Sequence, residues 1–158
     1  MKELNTIGLD QEKAENLAKK LNTLLSNYSI FYQNTRGFHW NIQGDKFFEL
    51  HLKFEEIYND LLLKIDEIAE RILTLGYTPE HRYTEYSKSS TIKESDKVTD
   101  GHTAVAQILD SLKIVIVMQR AILELANDAN DEGTHALMSD YIRFQEKQIW
   151  MYSSFLNK

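Results

Sequence analysis

Apolar residues recur every three or four positions through most of this chain, and the recurrence breaks in three places. Ala14, Leu17, Leu21, Leu24, Tyr28, Phe31 and Thr35 fall on one face of a helix, since residues three and four apart stack along an α-helix. They predict a first helix over residues 10–36, with Gly37 and the polar run NIQGD allowing a turn. Asp45 is a candidate N-cap for a second helix reaching residue 75, where Gly76 and Pro79 stop it. Its core-facing stripe reads Phe54, Ile57, Leu61, Ile65, Ile68 and Ile72. Residues 77–98 turn polar, a connection long enough to cross the length of a bundle and hold one short helix. Thr99 or Asp100 caps a third long helix with Val105, Ile108, Leu112, Val115, Gln119, Ile122 and Ala126 on one face. The run 114–118 has strand-like composition, but its flanks keep the helical period. Residues 127–133 form an Asn/Asp/Gly turn, and a last helix carries Met138, Tyr141, Gln145, Ile149, Tyr152 and Leu156. The pattern predicts an all-α four-helix bundle with a long crossover between helices two and three, spanning residues 1–158 as one domain, without internal repeats.

The second helix carries a further stripe that a simple bundle does not need. His51 and Glu55 are four residues apart, as are Asp66 and Glu70, so each pair shares a helix face. The eleven-residue step from Glu55 to Asp66 returns to within about 20° of that face. Tyr58, Leu62, Ala69 and Leu73 lie on the same stripe. A helix apolar on two faces is buried on two faces, so the charged groups between them are expected to be desolvated. Buried carboxylates and imidazoles without partners are costly, and a cation would satisfy them. Any one of these carboxylates alone reads as a solvated surface charge; the set together does not.

One helix cannot wrap both pairs around one ion, because His51 and Glu70 lie about 30 Å apart along its axis. The stripe is palindromic, however. His51 and Glu70 are equally distant from a midpoint at Asp60 and Leu61, and so are Glu55 and Asp66. Two copies packed antiparallel about a two-fold axis there would set His51 against Glu70 and Glu55 against Asp66, giving one site at each end of a symmetric interface.

Composition removes other classes of function. The chain has 158 residues, one proline, six glycines and 42% hydrophobic residues, enough for a full-sized core. With no cysteine, thiolate metal sites, iron–sulfur clusters and cysteine nucleophiles are excluded. The first residues, MKELNTIGLDQ, lack an apolar run of signal-peptide length and no stretch approaches a membrane span, so a cytoplasmic location is expected. A net charge of −6 opposes a generally DNA-seeking surface. Lys2, Lys13, Lys19 and Lys20 are diluted by Glu3, Asp10, Glu12 and Glu15 and read as a solvated helix face.

The segment NTRGFHWNIQGDKFFELHLKFEEIYNDLLLKIDEIAERI resembles the ferroxidase segment of the Dps family, the mini-ferritins named as DNA-binding proteins from starved cells. The likeness extends through STIKE at 90–94 to the closing KQIWMYSSFL. It rests on an HW pair, a second histidine twelve residues after the first, and carboxylates sixteen, twenty-seven and thirty-one residues after it. The resemblance implies a ferritin-like fold and a dinuclear iron site at a two-fold interface, with His39, His51 and Glu55 from one subunit and Asp66 and Glu70 from its neighbour. Trp40 is similar to the tryptophan that the family holds beside the iron. Glu55 stands where many members have Asp, a departure of one methylene that should still bind. Membership further implies a homo-oligomeric dodecamer, a hollow shell that oxidises Fe(II), with hydrogen peroxide preferred over dioxygen, and stores ferric mineral. Carboxylate oxygens with imidazole suit iron and leave positions for an oxidant.

Iron needs an entrance, for which Asp128, Asp131 and Glu132 are candidates. Glu132 and His135 have the Glu-x-x-His spacing of larger di-iron bundles, but Gly133 intervenes and no second copy exists. His81 and His102 read as surface residues and Trp150 as a core or interface anchor. No phosphate loop or nucleophile elbow is present. Three classes therefore stand: a ferroxidase store, a DNA-compacting structural protein, and an oligomeric bundle without iron chemistry.

Overall fold

The first helix outruns its expected end. In the computed structural model, which describes residues 3–158, α1 spans Gln11–Asn41. Asp10 caps it, its carboxylate accepting from the Lys13 amide at 2.9 Å. The helix passes through Gly37 because the apolar stripe continues beyond it: Phe38, His39 and Ile42 are all buried. A glycine inside a helix costs about 1 kcal/mol, whereas burying one phenylalanine returns about 1.5–3 kcal/mol. The burial wins.

The second helix, α2, spans Phe47–Thr74. Asp45 does not cap it; Lys46 holds the N-cap position, without a side-chain capping bond, and the turn before it uses Gly44 at φ +106°. Gly76, at φ +96°, follows its end as the sequence suggested. A short α3, Tyr83–Ser89, sits in the crossover. Then come α4, Gly101–Asp128, capped by Asp100 through the Thr103 amide, and α5, Glu132–Phe155, capped by Asp131 through the Thr134 amide. The described residues contain no strand, only an isolated bridge between Leu4 and Asp10.

Long-range bonds fix the helix directions. The Gln43 amide donates to the Thr99 carbonyl at 2.9 Å, so the end of α1 and the start of α4 share one end of the bundle. His102 and Phe155 approach to 5.1 Å there. At the opposite end Lys13 Nζ donates to the Asp128 carbonyl at 3.1 Å, and Arg71 to Asp131 at 2.7 Å. Hence α2 and α4 run the same way and the crossover must return the chain along the bundle's length, the arrangement of ferritin-like bundles.

Three asparagines of α1 hold that return. Asn22 bonds the Thr78 carbonyl and the Glu80 amide. Asn27 Oδ1 accepts from the Thr91 and Ile92 amides and from the Ser90 hydroxyl. Asn34 bonds the Lys93 carbonyl and the Ser95 amide. Backbone groups outside regular structure need such partners.

One apolar core runs through the bundle, with Leu17, Leu21, Tyr28, Phe31, Phe54 and Ile68 among its most buried members. On α5 the expected stripe is buried only as far as Gln145, with Ile149, Tyr152 and Leu156 half-buried, and on α2 two positions depart from the expected one. Ile65 is only half-buried, and Lys64, 6% exposed, fills the core-facing place on α2. Its ammonium bonds Asp60 at 2.5 Å and lies 4.4 Å from the centre of the Phe144 ring. At the bundle's centre Gln119 donates to Gln145 at 2.6 Å, Gln145 donates to the Tyr28 hydroxyl at 2.6 Å, and that hydroxyl donates to Gln119. Burial pushes the Tyr28 hydroxyl's pKa far up.

Candidate metal centre

The end of α1 and the start of α2 bring His39 and His51 face to face. Their rings are stacked at 3.8 Å with planes 12° apart. Nδ1 of His39 lies 2.6 Å from the His51 carbonyl, and Nδ1 of His51 lies 2.7 Å from the His39 carbonyl. A carbonyl only accepts, so both Nδ1 atoms carry hydrogen, which leaves the Nε2 lone pair of each neutral ring as its open donor to a metal. The His39 carbonyl belongs to the last turn of α1, where carbonyls lack helical partners. The Gln43 amide, four residues on, is taken by Thr99, and the His51 ring stands in for it.

The two ring planes are nearly parallel, and a metal bound to an imidazole lies in the plane of its ring at about 2.0–2.1 Å from the nitrogen. Planes stacked at 3.8 Å do not meet near the rings. The two histidines are therefore suited to two neighbouring ions rather than to one.

Aromatic rings surround the pair. Phe47 lies against His51, with centroids 4.9 Å and planes 16° apart, and Tyr58 meets His39 edge-on at 5.3 Å. Trp40 is exposed, with the Arg36 guanidinium 4.8 Å from its ring centre. A groove of about 620 Å3 opens beside it, lined in part by Tyr32, Arg36, Trp40, Leu62 and His81.

Glu55 follows His51 by one turn and is half-buried. Asp66 and Glu70 are exposed and one turn apart. A hydrogen bond with Asp66, and repulsion from its charge, hold the Glu70 carboxyl above the usual glutamate range. Among the described residues of a single chain, no three His, Asp or Glu side chains gather within reach of one ion. The donors form two separate sets. The second apolar stripe of α2 is not covered within the chain, contrary to the expectation of two buried faces: Leu62 and Leu73 are 49% and 58% exposed.

Asp131 proves unsuited to line an entrance. It is 2% exposed, its carboxylate taken by Arg71 Nη2 and by the Thr134 amide and hydroxyl. Gly133 leaves room for this guanidinium, since a Cβ there would stand 2.5 Å from Arg71 Nη1 and the arginine would have to shift. Asp128 and Glu132 remain exposed. Glu132 and His135 form a 3.9 Å surface pair, and His81 and His102 are exposed. Trp150 is 65% exposed and anchors no core of this chain. Lys13, Lys19 and Lys20 lie on exposed positions, while Lys2 falls outside the described residues. Sequence reasoning overlooked Phe47; its signal was an aromatic residue one helical turn before a histidine.

Residues 18–158 match the ferritin-like domain family. The chain is 42% identical to the DNA protection during starvation protein of Porphyromonas gingivalis over 155 residues, 98% of each protein. It is 53% identical to an uncharacterized protein of Haemophilus influenzae over 149 residues, 94% of this chain and 93% of the other. It superposes with a TM-score of 0.96 and 56% identity on the Dps protein of Vibrio cholerae O1, covering 97% of this chain and 96% of that one. That protein is described as a member of a broad superfamily of ferritin-like diiron-carboxylate proteins. The chain belongs to the Dps family of ferritin-like proteins.

Among the described residues, no helix is long and apolar enough to cross a membrane.

Proposed function

We propose that this protein is a ferroxidase and iron store whose catalytic site is completed by a second copy of the chain. Two copies pack antiparallel through the outer face of α2, so that His39, His51 and Glu55 of one copy face Asp66 and Glu70 of the other. Fe(II) is the substrate. The observation that carries this reading is the reciprocal histidine clasp, which engages both Nδ1 atoms and leaves two Nε2 atoms available to bind metal. Ligating histidines are oriented through their other nitrogen in this way. The uncovered stripe of α2 supports the antiparallel contact, and the placing of the Asp66 and Glu70 carboxyls one helical turn apart supports a cation beside them.

In this site Asp66 and Glu70 neutralise the positive charge of bound Fe(II), and their oxygens favour the harder ferric product. The two histidines hold two Fe(II) ions side by side, so two electrons are available together. Each Fe(II) gives up one electron, and one hydrogen peroxide takes both and, with two protons, becomes two waters. No hydroxyl radical is released. We further propose that peroxide is preferred over dioxygen, that the protein works in the cytoplasm, and that residues 1–158 form a single domain. Twelve subunits, built from two-fold dimers, enclose the ferric product. DNA is protected by this removal of Fe(II) and peroxide; the net charge of −6 supports protection without binding.

Stopped-flow oxidation of Fe(II) by hydrogen peroxide, and separately by air, on protein of known assembly mass tests the proposal. Wild type should consume two Fe(II) per peroxide rapidly. The double substitution His39→Ala, His51→Ala should slow this by at least about a hundredfold, beyond the 10–100-fold typical of residues that only support ligands. Unchanged kinetics in a well-assembled variant would discard the site.

A further inference from the structure

We propose that Phe47 is a positioning residue of this metal centre, its ring pressed flat on His51 so that both imidazoles keep the orientation in which their Nε2 atoms receive metal. The proposal rests on reading His39 and His51 as metal donors. Phe47 is the first residue of α2 and precedes His51 by one helical turn, the spacing at which side chains on a helix meet. Its ring, the His51 ring and the His39 ring form one column: 4.9 Å and 16° separate the first two, 3.8 Å and 12° the second two. The edge of Tyr58, 5.3 Å away, faces His39.

A column of this kind supplies what the hydrogen bonds lack. The Nδ1–H bond to a carbonyl fixes where one corner of each imidazole sits, but acceptor geometry at a carbonyl is broad and leaves the ring free to tilt about that corner. Tilt would carry Nε2 out of line. With both Phe47 and His39 stacked on it, the His51 ring is held against tilting, and His39 is steadied through it.

The start of α2 makes Phe47 more important still. Its N-cap, Lys46, makes no side-chain capping hydrogen bond and only a 4.0 Å surface pair with Glu49, so the turn that carries Phe47 lacks a side-chain cap. Phe47 is half-buried and packs on the core, whereas its neighbour Phe48 is 80% exposed. The ring column, together with the two ring-to-carbonyl bonds, ties the first turns of α2 to the last turn of α1.

The test is a Co(II) titration of assembled, iron-free protein, read by the visible absorption of bound Co(II), on wild type and on Phe47→Ala, Phe47→Leu and Phe47→Trp. Leucine replaces apolar volume without a flat face; tryptophan restores the face. Ala and Leu should each weaken Co(II) binding about tenfold, the lower end of the loss expected when a partner of a ligating histidine is removed. Trp should recover most of it. In peroxide-driven Fe(II) oxidation the Leu variant should need more Fe(II) for half-saturation while keeping its limiting rate. Assembly mass and thermal unfolding of the Leu variant confirm that its fold persists. Co(II) affinity in the Leu variant equal to wild type would reduce Phe47 to a space-filling role and overturn the proposal, as would a Trp variant no better than Ala. Wild type that takes up no Co(II) would overturn the metal-site reading itself, and this proposal with it.

Discussion

At the centre of the bundle, Tyr28, Gln119 and Gln145 bond one another in a closed triangle, and among the described residues no buried side-chain nitrogen or oxygen lacks a partner. At the bundle's end, His39 and His51 also bond reciprocally, yet each spends only Nδ1 and keeps Nε2 open. Further along α2, Asp66 raises the pKa of Glu70 through a hydrogen bond and through its charge. Both regions place polar groups where the helical period asks for apolar ones. The first answers its own demands within the chain and so serves the fold. The second leaves open valences that only something from outside can answer, and that difference is why the proposed chemistry is assigned to it.

The contrast can be broken in order of expected size. The loss of Fe(II) oxidation in the histidine double variant is the largest effect, and it should leave urea unfolding nearly unchanged compared with what the central triangle would show. Gln119→Leu orphans both the Tyr28 hydroxyl and the Gln145 carbonyl oxygen. It should cost about 3 kcal/mol of stability, since each buried unpaired group costs about 1–3 kcal/mol, while the initial Fe(II) oxidation rate holds. Replacing all three members with apolar side chains of similar shape should recover most of that loss; a triple variant as unstable as the single one would show that the network does more than satisfy itself.

Gly133→Ala comes next. The new Cβ displaces Arg71 from the buried Asp131 carboxylate. Breaking a buried ion pair costs about 3–5 kcal/mol, but the Arg71 side chain is 19% exposed and water can reach it, so about 2 kcal/mol is expected in the urea midpoint.

The smallest effect concerns pH. The Glu70 carboxyl is raised by its hydrogen bond with Asp66 and by the charge of Asp66. A carboxyl whose pKa is higher in the folded state takes up its proton more readily there, so folding gains stability as pH falls through that raised value towards the ordinary glutamate range. In the metal-free protein, Asp66→Asn removes the like charge. It should raise the urea midpoint at neutral pH and have less effect near pH 5, a pH chosen as roughly the upper edge of the glutamate range. An equal shift at both pH values would mean that repulsion between the two carboxyls is not felt.

Much of this was legible in the sequence, and the failures have physical causes. Every residue of the expected stripes of α1 and α4 is buried, from Ala14 to Thr35 and from Val105 to Ala126, though the buried faces are wider and take in Ser26, Asn27 and Ser111 as well. The end of α1 was missed because Gly37 was weighed by its local propensity, while the burial of Phe38 and Ile42 overrides it. Lys64 was missed because periodicity counts apolar residues, and a lysine that lies along aromatic rings and pairs with Asp60 enters a core that such counting closes to it. Gln119 and Gln145 could be placed on inward faces but not joined, since they are 26 residues apart. The asparagines at 22, 27 and 34 likewise act through backbone groups 56 to 65 residues away, at which range sequence carries no periodic signal. The proposed donors of α2 could be grouped from sequence for the opposite reason: spacing along one helix fixes their face. The clasp itself was not, because it depends on α1 continuing past Gly37.

That continuation has a consequence for how the molecule comes together. The clasp links residues twelve apart in sequence, across one short turn between two long helices, so closing it costs little chain entropy and belongs to the local contacts that form fast. Every proposed donor lies between His39 and Glu70, inside this first hairpin, and the α4–α5 hairpin contributes none. The half of the chain to which the proposed chemistry is assigned can thus be shaped early in folding; the other half closes the bundle around it.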